Sequence, residues 1–395
     1  MIYVIIMYTK EGVWILKEES KNNRIRYKAI VMLIIIIGQL VTNTSYFNVS
    51  SNESESNNIL GEIYIAEDNY EEKMKSIVEP YINSFLEYGY VNGEEDANIY
   101  YEKYILENSK ANIVICHGFC ESLDKYHEII YYFLKNDYNV FGIEHRGHGR
   151  SGILGIEDKT QVNVKCFNHY VCDFKNFMDE IVMPNSKEKE MFLYCHSMGG
   201  GIGAKFLEDY DNYFDAAVLS SPMLGVYTAK VPNFVVKFFV NLLVILGRGG
   251  NYVDGIHSYA PEYNLDKWAT TSVNRYKYYD NIVSSMEEFQ KGGPSYNWVN
   301  ESMNATKEII KKKNASKIKI PILLCQAGKD TYVREEAGNK FAKNVPNCRL
   351  KKYKESKHEL YREKDYIQRH YLEDVLNFYK DNLVRGYATE RLCNV

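Results

Sequence analysis

The chain has 395 residues, 25% of them charged, and a formal net charge of −4 at neutral pH. This length suits one large α/β domain or one domain with an insertion, and the slightly negative charge argues against nucleic acid as the main partner. The eight cysteines follow no paired pattern with zinc-site spacing, so neither a disulfide framework nor a zinc site is predicted.

The N-terminal segment, residues 1–58, contains an apolar run at residues 29–41, which follows several basic residues. The run is short for a membrane span of about 20 residues and fits the core of a signal peptide or a short signal anchor. No cleavage site of small residues follows, only an Asn- and Ser-rich linker, which favours an anchor. The basic flank predicts a cytoplasmic N-terminus. We therefore expect a membrane-associated or secreted protein with its main domain outside the cytoplasm and a membrane surface as partner.

From residue 59 onward, amphipathic stretches alternate with short apolar ones. The predicted strands are 98–106, 111–116, 139–143, 191–195, 216–219, 320–326 and 348–353, and the predicted helices are 70–88, 125–134, 167–183 and 366–379. Short apolar strands that alternate with helices indicate an α/β fold, with a mostly parallel central sheet covered by helices on both faces.

Residues 226–317 interrupt this alternation and show no buried-strand pattern of their own. They contain an apolar helix at 231–246 and a polar helix at 301–313. We interpret them as a helical cap between a first core part, 59–225, and a second core part, 318–395. Because open parallel sheets bind ligands at the carboxyl ends of their strands, an insertion that leaves from that edge is expected to cover the site.

A serine follows the strand 191–195 at an abrupt change from apolar to glycine-rich sequence, His196-Ser197-Met198-Gly199-Gly200-Gly201. A serine on a sharp turn from strand to helix is the nucleophile elbow of α/β-hydrolases, G-x-S-x-G. Cys195 stands where the first glycine is expected. A glycine-rich turn of an ordinary α/β protein is the alternative. A thiol nucleophile is disfavoured, because Cys195 belongs to the strand and adjacent side chains point in opposite directions.

A serine hydroxyl needs a base within hydrogen-bonding distance and a third group that orients the base. In this fold the order along the chain is serine, acid, histidine. Asp330 follows the strand 320–326, and His358 follows the strand 348–353. We predict Ser197 as nucleophile, His358 as general base and Asp330 as the orienting acid. The alternatives are a turn aspartate and a surface histidine.

The oxyanion of an acyl-transfer reaction needs hydrogen-bond donors that are already in place. One is expected from the backbone N–H of Met198, and the second from the loop after strand 111–116. His145 and His148, spaced i,i+3, could suggest a metal site. We disfavour it, since the segment is rich in glycine and arginine and no third ligand is evident. No metal and no cofactor are expected.

Several motifs together resemble one family, and the resemblance covers roughly residues 101–379. They are His117-Gly118-Phe119-Cys120-Glu121-Ser122, His145-Arg146-Gly147-His148-Gly149-Arg150-Ser151, His196-Ser197-Met198-Gly199-Gly200, Ser221-Pro222-Met223 and Gly292-Gly293-Pro294-Ser295-Tyr296-Asn297-Trp298-Val299. The chain resembles the serine aminopeptidase S33-type α/β-hydrolases, and among them the lysophospholipase L2 and monoacylglycerol lipase group. The resemblance implies the same triad, with the Phe119 N–H as the second oxyanion donor. It departs from the family at Cys195, and residues 1–60 have no counterpart in soluble members.

The sequence therefore predicts a serine hydrolase that cleaves a single-chain lipid ester, a lysophospholipid or monoacylglycerol, through an acyl-enzyme. The apolar helix 231–246 suits an acyl chain, or else packs in an ordinary core. A short-chain carboxylesterase or an acyltransferase on the same scaffold, and a non-catalytic lipid-binding protein, remain alternatives.

Overall fold

The structure, a computed structural model, describes residues 3–9, 12–18, 59–228, 231–262 and 264–383. The chain divides into two compact units, Met1–Glu55 and Ser56–Val395. In the first unit, strands β1 (Tyr3–Thr9) and β2 (Gly12–Glu18) pair in antiparallel fashion, with Thr9 opposite Gly12.

The prediction of a membrane-anchored or secreted protein needs correction. The apolar run 29–41 lies outside the described residues. Within the described ranges, no helix is both long enough and apolar enough to cross a bilayer. A span needs about 20 consecutive apolar residues, whereas the apolar helix Asn233–Leu243 has 11 residues. The anchored or secreted localisation is therefore wrong on this finding.

The second unit is built on a central sheet in which, among the described residues, eight strands are hydrogen-bonded in the order β12-β11-β9-β8-β5-β6-β4-β3. Strands β3 and β4 are antiparallel, and β4 is also antiparallel to β6, whereas the other pairs are parallel. The predicted α/β fold is thereby confirmed. A separate parallel pair joins β7 to β10. The strand bounds are β3 (Leu86–Asn92), β4 (Asn98–Tyr104), β5 (Ala111–Cys116), β6 (Tyr138–Ile143), β7 (Gln161–Val162), β8 (Met191–His196), β9 (Ala216–Ser220), β10 (Gly293–Pro294), β11 (Ile322–Ala327) and β12 (Cys348–Tyr353).

The central strands are buried on both faces. Every residue of β5, β6, β8, β9 and β11 is buried, as expected where helices cover both sides of a parallel sheet. Neighbouring residues of β8 belong to different hydrophobic clusters: Leu193 lies in one, and Phe192 and Tyr194 lie in the other. This alternation follows from the two-residue period of a strand.

The helices alternate with these strands or groups of strands along the chain, and the last helix follows the last strand. Their bounds are α1 (Tyr70–Lys73), α2 (Glu79–Asn83), α3 (His127–Lys135), α4 (Asn168–Phe177), α5 (Met183–Asn185), α6 (Ser197–Asp209), α7 (Asn233–Leu243), α8 (Val273–Ser285), α9 (Tyr296–Ile309), α10 (Lys312–Ala315), α11 (Glu335–Asn344) and α12 (Asp365–Asp381). Wider π-helical turns continue α1, α4 and α7, at Met74–Val78, Met178–Val182 and Val244–Arg248 respectively. The polar helix predicted at 301–313 begins earlier, as α9, because the Ser295 side chain caps it by accepting a hydrogen bond from the Trp298 N–H.

The segment between β9 and β11 contains helices α7 to α10; the cap boundaries 226–317 remain an interpretation. Helix α8 is fastened to the rest of the unit by Arg275, which is fully buried. Its guanidinium lies 3.0 Å from Glu128 and 3.0 Å from Asp365. It also donates to the carbonyl oxygens of Ile65 and Glu363, at 2.8 and 2.9 Å. One side chain thus joins α8 to several separate segments.

Candidate active site

The turn between β8 and α6 carries Ser197 in a strained backbone conformation. His196 is extended, with φ −121°, whereas Ser197 has φ +50°, in the left-handed region. A non-glycine residue in that region costs free energy and persists only where the surrounding structure enforces it. This is the geometry of a nucleophile elbow, and it leaves Ser197 8% exposed at the end of the strand.

Glycines after Ser197 allow two other loops to approach the start of α6. A Cβ built on Gly199 would lie 2.5 Å from the carbonyl oxygen of His117, and one on Gly200 would lie 2.5 Å from Cβ of Pro222. Both separations are too short for any side chain. The loops that follow β5 and β9 therefore pack directly against the turn that holds Ser197.

Cys195, the departure from the family pattern, is accommodated by a glycine in the next helix. A Cβ on Gly203 would overlap Sγ of Cys195, so the bare backbone of α6 at that position provides the space that the sulfur occupies. Cys195 is fully buried, and burial raises the pKa of its thiol well above the usual value. A thiol without access to solvent or to its thiolate form is a poor nucleophile.

The three predicted triad residues meet at the carboxyl ends of their strands. Nε2 of His358 lies 2.8 Å from Oγ of Ser197, and Nδ1 lies 2.7 Å from Oδ2 of Asp330. With the proton on Nδ1, the ring donates to the carboxylate, and Nε2 accepts the serine hydroxyl proton. Such a line is the arrangement in which histidine activates a serine.

Asp330 is fixed and ionised by its surroundings. Its other oxygen, Oδ1, accepts the backbone N–H groups of Tyr332 at 2.8 Å and Val333 at 3.1 Å. Burial alone would raise the pKa of this carboxyl, but His358 and these hydrogen bonds outweigh it and hold the pKa below the usual value. The carboxylate is therefore charged at neutral pH and keeps the His358 ring in one orientation.

The two predicted oxyanion donors belong to the start of α6 and to the loop after β5. Met198 is in the first turn of α6, where backbone N–H groups have no acceptor within the helix. Phe119 lies in the loop after β5, and its ring packs on Trp298 at a centroid distance of 4.4 Å. The contact of this loop with Gly199 places it beside the helix start. Phe119 and Met198 stay predicted donors.

Glu121 is a residue of the site to which the sequence analysis gave no role. Its buried carboxylate accepts the Gly118 N–H at 2.5 Å and the Tyr126 hydroxyl at 2.6 Å, and the Lys125 ammonium lies 2.7 Å away. Burial alone would raise its pKa, but Lys125 and the nearby His196 keep the pKa below the usual value. Glu121 thereby holds the loop that carries Phe119. The i,i+4 spacing of Glu121 and Lys125 is the signal that could have indicated the pair.

The histidines considered as metal ligands form a buried, uncharged cluster. Nε2 of His117 accepts the backbone N–H of His145 at 2.9 Å, and the two rings lie 4.5 Å apart. Burial lowers the pKa of His117 to about 4 and that of His148 to about 3. Because an amide hydrogen engages Nε2 of His117, this histidine supports the loop that carries His145.

Within the described part of the chain, Glu102, Asp124 and His127 bring their ligand atoms within 4.8 Å of one another. A guanidinium already supplies the positive charge there, because Arg150 lies 2.7 Å from Asp124. His127 in turn lies 2.9 Å from Glu79. We assign this group a structural role.

Comparison with known proteins identifies the family. Residues 107–365 match the family described as Serine aminopeptidase, S33. The chain belongs to this family. It is 31% identical over 291 residues to a probable lysophospholipase L2 of Haemophilus influenzae, covering 73% of this chain and 90% of that protein. It is 28% identical over 298 residues to lysophospholipase L2 of Escherichia coli, covering 73% of this chain and 85% of that protein.

A solved structure shows the same fold. A soluble variant of monoglyceride lipase from Saccharomyces cerevisiae, in complex with a substrate analog, superposes with a TM-score of 0.61 at 20% sequence identity. The match covers 76% of this chain and 95% of that one. The predicted family and the predicted enzyme class, carboxylic ester hydrolase, are confirmed by these comparisons.

Proposed function

We propose that this chain is a serine hydrolase that cleaves the fatty-acyl ester of a lysophospholipid or a monoacylglycerol through an acyl-enzyme intermediate. The observation that carries the proposal is the hydrogen-bonded line from Ser197 through His358 to Asp330. The named relatives, two lysophospholipases and a monoglyceride lipase, support the choice of a single-chain lipid ester.

The reaction proceeds in two halves. Oγ of Ser197 attacks the acyl carbonyl carbon while Nε2 of His358 takes the hydroxyl proton, and the N–H groups of Met198 and Phe119 donate to the developing oxyanion. His358 then passes that proton to the leaving alcohol, and the acyl group remains as an ester of Ser197. In the second half His358 takes a proton from water, the hydroxide attacks the acyl carbon, and the fatty acid leaves as Ser197 recovers its proton.

Helix α7 and the turn that follows it offer an apolar surface for the acyl chain. Phe238 is 64% exposed, Ile245 is 72% exposed and Leu246 is 65% exposed. Contiguous exposed apolar side chains of this kind mark surfaces that bind ligands or partners. The surface supports a lipid substrate over a small polar one.

The proposal is tested by measuring the hydrolysis of lysophosphatidylcholine, monoolein and p-nitrophenyl butyrate by the full-length protein. We expect kcat/KM to be highest for one of the two lipids, and Ser197→Ala to lower kcat by roughly 10⁵-fold or more. Ser84→Ala, which removes an exposed hydroxyl from the C-terminal end of α2, is the matched control and should keep full activity. A Ser197→Ala variant with normal turnover would refute the mechanism.

The same assay separates the alternatives. A preference for p-nitrophenyl butyrate would support a short-chain carboxylesterase, and transfer of the acyl group to an added alcohol in place of hydrolysis would support an acyltransferase. Failure of the native protein to react with a fluorophosphonate probe would support a non-catalytic lipid-binding protein.

A further inference from the structure

A cleft of about 380 Å³ lies between helices α7, α9 and α11. Its volume falls within the range of about 300–1,000 Å³ that is typical of small-molecule sites. The loop at residues 224–226 forms one wall. Ser197, Asp330, His358 and the predicted oxyanion donors are not among its lining residues, so the cleft is separate from the site described above.

The cleft is lined partly by apolar side chains and partly by positively charged ones. Its apolar part consists of Leu224, Val226, Phe234, Met303, Ile310 and Ala337. Its charged part contains four cations, Lys237, Lys307, Arg334 and Lys340, and one carboxylate, Glu336. Such a combination is complementary to a molecule with an apolar chain and an anionic head group.

The cations of the cleft are poorly neutralised by the protein itself. In the described ranges, Lys237, Lys307 and Lys340 have no carboxylate within ion-pairing distance, and Arg334 has Glu336 at 3.5 Å. Burial and the Lys307 ammonium both lower the pKa of Lys237, and the carboxylates of Glu308 and Glu301 offset this only in part. Two like charges that face one cavity repel each other, and an anion placed between them would relieve that repulsion.

We propose that this cleft binds an anionic single-chain amphiphile, with its head group at the lysines and its hydrocarbon chain along the apolar wall. The choice of a lipid among such amphiphiles rests on the proposed function. The preference for an anionic head group and an apolar chain rests on the residues that line the cleft. Two sources share this chemistry: the carboxylate of a released fatty acid, and the phosphate of an acidic lysophospholipid.

The cleft adjoins the loop that carries the orienting acid. The Arg334 N–H donates to the Gly225 carbonyl at 2.9 Å, and Val226 forms an antiparallel bridge with Val333. Val333 in turn donates its N–H to Asp330. A ligand in the cleft therefore contacts segments that are one hydrogen bond away from Asp330.

The test measures binding by calorimetry to the full chain in a Ser197→Ala background, which prevents turnover. The probes are sodium oleate, 1-oleoyl lysophosphatidate and neutral monoolein, each below its aggregation concentration. We expect the double substitution Lys237→Gln with Lys307→Gln to weaken binding of an anionic probe at least tenfold. The control, Lys312→Gln with Lys313→Gln on the exposed face of α10, should bind as the parent does. Lys237→Arg with Lys307→Arg should retain binding and shows that the substituted cleft still folds.

Each result has a defined meaning. A charge-dependent loss for oleate alone supports a product site, a loss for lysophosphatidate alone supports an acidic lipid, and a loss for both supports the shared head-group chemistry. Equal affinities in the glutamine variant and its control, or an equal loss for monoolein, would overturn the proposal. Binding is measured in the Ser197→Ala background, whereas activity is measured in the wild type, so the two proposals can fail separately. If the wild type is active but binding does not depend on the lysines, only the cleft proposal is refuted. If binding depends on the lysines but the wild type is inactive, only the proposed function is refuted.

Discussion

Cys195 and Gly203 form a compensating pair, and a double-mutant cycle can measure their coupling. In Gly203→Ala the added methyl group overlaps Sγ of Cys195 and approaches Cδ2 of Leu193 at 3.3 Å. All of these atoms are in the buried core, where overpacking costs about 1–3 kcal/mol. Replacing a helical glycine by alanine gains about 1 kcal/mol in return. The net expectation is a loss of up to about 2 kcal/mol in the free energy of unfolding.

Gly203→Ala should no longer lower the free energy of unfolding once the sulfur at position 195 is removed. Cys195→Ala alone leaves a small void and costs about 1 kcal/mol. In that background the methyl group at position 203 lies 3.6 Å from Cβ of residue 195, an ordinary contact. Gly203→Ala is then expected to be neutral or to stabilise by up to about 1 kcal/mol.

Urea unfolding of the four proteins gives the coupling energy, which we expect to be about 1–3 kcal/mol. The rate of fluorophosphonate labelling supplies a second measurement, because Ser197 begins the helix that the clash displaces. The reasoning fails if Gly203→Ala lowers the free energy of unfolding equally in both backgrounds, since the sulfur would then have no part in the effect.

Three further predictions concern the charges around the site. Asp330→Asn should lower kcat by roughly 10⁴-fold with the fold intact, because the amide cannot hold the reactive His358 tautomer. Steady-state kinetics measure kcat, and circular dichroism shows whether the fold is intact. A near-normal kcat would contradict the prediction. Glu121→Gln should lower the free energy of unfolding by about 3 kcal/mol, because it disrupts a buried ion pair. The control is the surface substitution Glu355→Gln, which should leave the midpoint of urea unfolding nearly unchanged. Equal effects of the two substitutions would refute the role of burial. The pKa of His117 is lowered to about 4 in the folded state, so the unfolded state binds the proton first and stability falls as the pH drops from about 6.5 towards 4. His117→Gln should show a smaller drop between pH 7 and pH 5 in thermal unfolding, and an unchanged drop would assign the acid sensitivity elsewhere.

The sequence was informative where local patterns and chain order decide the structure. The apolar strand before Ser197 and the glycines after it predicted the elbow, and the order of Asp330 and His358 after later strands placed all three side chains at one edge of the sheet. Parallel topology converts that order into proximity, which the distances of 2.8 and 2.7 Å now show.

The sequence was uninformative where burial depends on distant partners. Helix α8 was not predicted because Val283 is the single aliphatic residue among the three on its buried face, and the other two are Arg275 and Tyr279. Strand β3 was not predicted, and its first three residues were included in the helix predicted at 70–88, because Leu86 continued the amphipathic pattern. Glu121 was given no role because its burial depends on residues distant in sequence, such as Tyr361, whose hydroxyl donates to it.

The anchoring of α8 by Arg275 determines which parts can be exchanged between relatives. A chimera that replaces residues 231–262 leaves the guanidinium and its acceptors in place, so the recipient should still fold. A chimera that replaces α8 must import matching residues at positions 128 and 365, or else bury an uncompensated charge at a cost of about 3–5 kcal/mol. Chimeras that are meant to exchange substrate preference between members of this family should therefore join the two sequences before residue 273.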